Sequence, residues 1–153
     1  MLDLPCGDLV WMKHYLNNRT DVDYTGMDIV GSLIAEHSKA FSHTHPWTFQ
    51  QHDIVKDPLL EKYDLIFSRQ MAQYWCTEDT VKVLQHFSEG ASYLLITIYL
   101  DVKTNIPLNT NTAWLFRPQN FNNLPFALTD PICEDEETEC VNALYKLPLQ
   151  QWL

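Results

Sequence analysis

The chain has 153 residues, room for one domain with a full apolar core and not for two of ordinary size. Apolar residues make up 46% of it and charged residues 20%, which sets intrinsic disorder aside. A net charge of −10, with no run of Lys or Arg, argues against a large nucleic-acid footprint and against an anionic membrane surface.

The residues run in alternating strand and helix patterns. Met1 to Leu4 reads as a short strand that enters a tight turn at Pro5-Cys6-Gly7-Asp8. Leu9 to Asn17 has helical spacing at Val10, Trp11, His14 and Tyr15, with Asp8 as its expected cap. Asp21 to Val30 is extended. Leu33, Ile34, His37 and Phe41 then mark a helix that Ser32 is expected to cap. Trp47 to Ile54 and Tyr63 to Phe67 read as strands, and Thr80 to Phe87 as a helix closed by Glu89-Gly90. Ala91 to Leu100 is the strongest strand signal, apolar enough to be buried on both faces. Asp101 to Pro125 has six Asn, three Pro and no period, which reads as an extended loop of a length that is often functional. Phe126 to Ile132 and Cys140 to Leu147 then flank an acidic turn at Glu134 to Glu139, as a terminal hairpin.

Such alternation implies right-handed βαβ units. The expected fold is therefore α/β: a Rossmann-like, doubly wound, mostly parallel sheet closed by an antiparallel hairpin, in a single domain over residues 1–153. Ligands of such sheets sit beyond the carboxyl ends of the strands. Those ends carry Asp3 to Asp8, then Asp28, then Asp53, then Ser68-Arg69-Gln70. Gly7 lets the backbone approach a ligand, and the helix that follows favours a carboxylate. Asp28, about 20 residues past the glycine turn, suits both hydroxyls of a ribose. Pro5 in place of a first glycine, and no third glycine, argue against a nicotinamide cofactor.

The segment DLPCGDLVWM from Asp3 to Met12 resembles the first motif of class I S-adenosylmethionine-dependent methyltransferases. Tyr24 to Val30 resembles that family's second motif, His52-Asp53-Ile54 with Lys56 to Leu59 its third, and Tyr63 to Arg69 its fourth. Arg117-Pro118 and Asn122 to Pro125 are similar to a later stretch. The resemblance implies S-adenosylmethionine as cofactor. It implies binding through Asp3, Pro5, Cys6 and Gly7 after the first strand and through Asp28 and Ile29 after the second. Asp53, Ile54, Ser68 and Arg69 complete the implied set. In it, Asp3 accepts hydrogen bonds near the methionine end, Asp53 takes the adenine amino group, and Ile54 packs on the ring. The chain begins at the first strand, without the helical segment that precedes it in the family, and so reads as amino-terminally truncated.

One departure bears on turnover. Where the family reads C-R-D-x-x-F-H, this chain has Ser68-Arg69-Gln70-Met71-Ala72-Gln73-Tyr74, so no general base near neutral pH stands there and no catalytic residue is assigned. The expected function is methyl transfer to a small-molecule or protein substrate, with no nucleic-acid or membrane partner; the alternative is a non-catalytic binding or remnant domain.

Other residues read as structural. Trp11 is expected to pack, and His43 and His45 to be surface histidines rather than ligands, with no metal site. The four cysteines, Cys6, Cys76, Cys133 and Cys140, include no CxxC pair and are expected to be reduced core thiols, although Cys133 and Cys140 could meet across the hairpin. With no signal peptide and no spanning apolar run, the expected location is the cytoplasm, where the sequon at Asn18 is accidental. Oligomeric state is not readable.

Overall fold

The computed structural model describes residues 1–41, 43–106, 115–128, 131–136 and 140–149. The chain divides into two compact units, Met1–Asp53 and Ile54–Leu153.

The first unit is built as β1 (Leu2–Asp3), α1 (Met12–Leu16), β2 (Thr25–Asp28), α2 (Gly31–Phe41) and β3 (Thr48–Gln51). Its strands lie in the order β3-β2-β1, all parallel, with Leu2 beside Thr25 and Asp28 beside Gln51. The Cys6 amide donates to the Met27 carbonyl at 2.8 Å and so carries the β1–β2 pairing into the turn. Aromatic rings fill the space under α2: Tyr24 meets Trp47 and Phe49 edge-on at 6.0 and 6.1 Å, and Phe41 lies 5.3 Å from Trp47. Burying rings of this size supplies much of the drive for so small a unit to close.

Two helix starts differ from expectation. Leu9 adopts a left-handed backbone (φ 57) with its side chain buried, so the helix cannot begin at residue 9 and opens at Met12 instead. Asp8 consequently caps no helix: its Oδ1 accepts from the Val10 amide at 3.0 Å and closes a local turn. Trp11, expected to pack, is 46% exposed, because only Met12 and Leu16 of this short helix face inward. α2 starts at Gly31, which leaves Ser32 inside the helix rather than capping it.

The second unit contains β4 (Tyr63–Ser68), a 3-10 turn (Ala72–Tyr74), α3 (Thr77–Gly90), β5 (Ala91–Ile98), β6 (Cys133–Glu136) and β7 (Val141–Lys146). β4 and β5 are parallel and joined by α3; β7 runs antiparallel to β5, and β6 antiparallel to β7. α3 is longer than the spacing predicts. The Cys76 thiol accepts from the Asp79 amide at 3.4 Å, and Glu78 and Asp79 suit the positive end of the helix, so it begins at Thr77. β5 is buried only over its second half; Ser92 and Tyr93 are exposed. The hairpin is also displaced. Its first strand is Cys133–Glu136, within the residues expected to form the acidic turn, while residues 137–139 lie outside the described residues. An edge position with pairing on one side only tolerates charged residues that a central strand would exclude.

The described residues of the Asp101–Pro125 segment form neither helix nor strand, as expected, yet they are firmly tied. Asn105, buried, donates from Nδ2 to the carbonyls of Asn120 (2.8 Å) and Leu124 (2.9 Å) and accepts at Oδ1 from the Asn120 amide (2.8 Å). Asn120 and Asn123 both donate to the Val102 carbonyl, and Tyr145 on β7 donates to Asn122 Oδ1. Side-chain amides thus stand in for the missing backbone ladder.

No disulfide links the four cysteines. The β6–β7 register pairs Cys133 with Leu144 rather than with Cys140, and Cys133 is exposed, so it is not a core thiol. Among the described residues no helix is long and apolar enough to cross a membrane.

Candidate functional site

The turn after β1 brings four of the expected residues together within the first unit. Gly7 has φ +53, a conformation that costs a residue with a Cβ about 1 kcal/mol or more. In that conformation its amide points at Asp28, with Gly7 N to Asp28 Oδ2 at 3.2 Å. A Cβ built on Gly7 would meet nothing within 4 Å, so the space beside the turn is open.

Asp28 closes β2 and is 6% exposed. Its Oδ1 accepts from the Val30 amide at 3.0 Å, so the carboxylate is fixed by one backbone amide on each oxygen. A carboxylate has about four acceptor positions, which leaves each oxygen able to take one more donor, the requirement for a pair of vicinal hydroxyls. Asp3, on β1, is 2% exposed and accepts at Oδ2 from the Tyr24 hydroxyl at 2.9 Å. Burial pushes the Asp3 carboxyl up to about 7; the Tyr24 hydrogen bond works against this, and the neighbouring Asp28 charge adds to it. Cys6 is pushed up to about 12, first by burial and then by the charges of Asp3 and Asp28. Tyr24 is likewise raised by burial and by Asp3, so it stays a hydrogen-bond donor.

Sequence reasoning missed two members of this cluster. Tyr24 was counted only as part of a motif and His37 only as a helix-face residue. His37 Nε2 lies 2.7 Å from the Gly7 carbonyl, and its ring sits 5.4 Å from that of Phe49. An aromatic residue and a histidine among apolar neighbours were the available signals, but both partners lie more than 20 positions away in the chain.

The remaining expected residues fall as follows. Pro5 is half-buried in the turn and Ile29 is 53% exposed just past Asp28. Asp53, half-buried, follows β3 at the end of the first unit. Ile54, Ser68 and Arg69 belong to the second unit. Ile54 is buried and its carbonyl accepts from His86 Nδ1 at 2.7 Å. Ser68 is 1% exposed at the end of β4, and its Oγ has no hydrogen-bond partner among the described residues. His43 is exposed, while His45 stacks on Trp47 at 4.1 Å and contacts Thr44 and Asn17.

Between β4 and α3 the chain carries no acidic side chain. Gln70 adopts φ 56, its amide bonded to Thr97 Oγ1 at 3.1 Å. Its Oε1 accepts from the Tyr99 hydroxyl (2.9 Å) and from Gln73 Nε2 (2.7 Å), and its Nε2 donates to the Cys140 sulfur (3.2 Å). Tyr74 and Tyr99 each meet Phe116 edge-on, at 6.0 and 5.9 Å.

The fold is α/β, and the turn after its first strand holds Gly7 between two buried acidic residues, Asp3 and Asp28. Residues 2–91 match the family model described as a methyltransferase domain, and the chain belongs to that family. By sequence, no curated protein matches. Among solved structures, TehB from Haemophilus influenzae aligns with 96% of this chain at 18% identity and a TM-score of 0.66. Human N-acetylserotonin methyltransferase, solved in complex with SAM, aligns with 96% of it at 19% identity and a TM-score of 0.71. An S-adenosylmethionine-dependent methyltransferase from Clostridium acetobutylicum aligns with 95% of it at 14% identity and a TM-score of 0.67, covering 82% of that chain. The chain spans 57% of the length of TehB and 47% of the human enzyme. At these identities the likeness shows the fold: Rossmann-like α/β, mostly parallel, with antiparallel strands at the carboxyl end.

Proposed function

We propose that the chain binds S-adenosylmethionine through the cluster after β1 and takes part in transfer of its methyl group to a small molecule or a protein. The observation that carries this reading is Asp28: a buried carboxylate, fixed by the Gly7 and Val30 amides, with acceptor capacity left on both oxygens. The open space beside Gly7 supports room for a ligand at that turn. In this reading Asp28 holds the ribose hydroxyls, and Asp3, Pro5, Cys6 and Gly7 line the cofactor's methionine side. Ile29, Asp53 and Ile54 serve the adenine, with Ser68 and Arg69 as further contacts. The orphaned Ser68 hydroxyl supports a ligand contact at the end of β4.

The cofactor supplies an activated methyl on a positively charged sulfur, a good leaving group, so the chain's own work is to orient, to exclude water and to match charge. The Asp28 carboxylate, with the Asp3 carboxyl near it, suits a cationic ligand. Gln70 takes no proton, and its amide oxygen already receives two donors. The acceptor atom that fits this chain is therefore one that carries a lone pair without first losing a proton. The four thiols, none of them in a disulfide, and the acidic composition fit a cytoplasmic protein without a nucleic-acid or membrane partner.

The same Gln70 network favours a second reading, a domain that binds the cofactor without turnover. Calorimetric titration with S-adenosylmethionine and S-adenosylhomocysteine tests the binding common to both. Micromolar binding that Asp28→Ala abolishes is the expected result; a folded chain that binds neither sinks both readings. Transfer of a labelled methyl to any small molecule or protein removes the second.

A further inference from the structure

We propose that His37 is a positioning residue for the glycine turn: its imidazole fixes the Gly7 carbonyl, aims the Gly7 amide at Asp28, and so sets the affinity for the cofactor. The affinity clause rests on the function proposed above; the positioning clause does not.

Gly7 is held on both sides by side chains. Its amide reaches Asp28 Oδ2 at 3.2 Å and its carbonyl lies 2.7 Å from His37 Nε2. A carbonyl can only accept, so Nε2 carries the proton in this contact, and the contact survives whether or not the ring is charged. Glycine gains little from its own conformational preferences at φ +53, because it populates both signs of φ about equally. The two side-chain contacts therefore select this conformation, and losing either releases the other.

His37 is suited to that task. It is 7% exposed on α2, a helix of 11 residues, and its ring is set among those of Phe49 at 5.4 Å and Phe41 at 6.3 Å. A donor with two restrained torsions, packed on a helix, holds a loop with little entropy left to lose. Its position 30 residues beyond Gly7 makes it a link between the turn and the element that follows β2. A histidine that merely filled the core would satisfy its ring nitrogen anywhere nearby. This one satisfies it on the only residue of the turn that needs holding in a left-handed backbone without a buried side chain of its own.

The test uses the full chain with His37→Leu and His37→Gln, the second placing an amide N–H close to the Nε2 position. Thermal melts establish which variants fold, and nuclear magnetic resonance follows the Gly7 amide. Calorimetry measures S-adenosylhomocysteine affinity, with Asp28→Ala as the control for the site. In His37→Leu the Gly7 amide should shift and exchange faster, and affinity should fall about tenfold, one lost hydrogen bond's worth. His37→Gln should restore the Gly7 signal and bring affinity back to within about threefold of the parent. An unmoved Gly7 amide in folded His37→Leu overturns the positioning role. So does a Gln variant as impaired as the Leu variant. Wild-type chain that binds no cofactor overturns the affinity clause alone, because the Gly7 signal is read without ligand.

Discussion

The Tyr24 hydroxyl donates to the Asp3 carboxyl at 2.9 Å in the interior of the first unit, the residue just before β2 supplying the donor and β1 the acceptor. Gly26, paired with Asp3 in the register, makes the contact possible: a Cβ there would stand 3.1 Å from the Tyr24 oxygen and 2.9 Å from the Phe49 ring.

This pair makes folding depend on pH. The Asp3 carboxyl is raised to about 7 in the fold, from an ordinary value of 3.8, so the fold favours its protonated form. Its contribution to stability is fully present below about pH 4 and is lost as pH rises through about 7. The melting temperature should fall between pH 5 and pH 8, and Asp3→Asn should flatten that slope. At pH 8 the variant should be more stable by up to about 4 kcal/mol. An Asn variant with an unchanged pH profile would show that Asp3 is not the titrating group. Tyr24→Phe removes a donor and should cost about 1–2 kcal/mol.

Gly7→Ala separates strain from space. The added methyl clashes with nothing in the protein, so the fold should lose only about 1 kcal/mol. The same methyl enters the open volume beside the turn, and S-adenosylhomocysteine affinity should fall by about tenfold or more. Calorimetry and a urea melt on one sample measure both; unchanged affinity would mean that the cofactor does not approach this turn.

The thiols should react in a defined order. Cys133 is exposed, whereas Cys6, Cys76 and Cys140 are buried, and burial raises both Cys6 (to about 12) and Cys76. Iodoacetamide at pH 8 should modify Cys133 first and the other three only on unfolding. Mass spectrometry of tryptic peptides gives the order, and early labelling of Cys6 would contradict the burial of the turn.

Asn105→Ala should be costly for a polar residue. It takes the Asn105 partner from the Asn120 amide and the Leu124 carbonyl, and one of two donors from the Asn120 carbonyl. A loss of about 3 kcal/mol is expected, with faster proteolysis between residues 101 and 125. A variant with native stability and protease resistance would show that the amide clasp is redundant.

Much of this was readable in the chain. Period-two and helical spacing located every strand–helix step, and Gly7 and Asp28 declared themselves by residue type at a strand end. What the sequence concealed is long-range or steric. The late start of α1 follows from the left-handed Leu9, which no local pattern announces. β6 was hidden because strand preference is read from apolar alternation, while an edge strand can be built from Glu134, Asp135 and Glu136 once β7 provides a ladder. The grip of His37 on Gly7 joins groups 30 residues apart, and spacing says nothing about such pairs.

The acidic edge has a consequence for behaviour at high concentration. Among the described residues β6 pairs with β7 alone and ends the strand order of its unit. A bare strand edge is a template on which a second chain can grow a continuous sheet. Three consecutive acidic residues on that strand make such stacking a confrontation of like charges, reinforced by the overall charge of −10. Repulsion of that kind is screened within a Debye length of about 8 Å at physiological ionic strength and shorter above it. The protein should therefore stay dispersed in dilute buffer and begin to aggregate as salt rises or as the pH approaches 4.8, its isoelectric point.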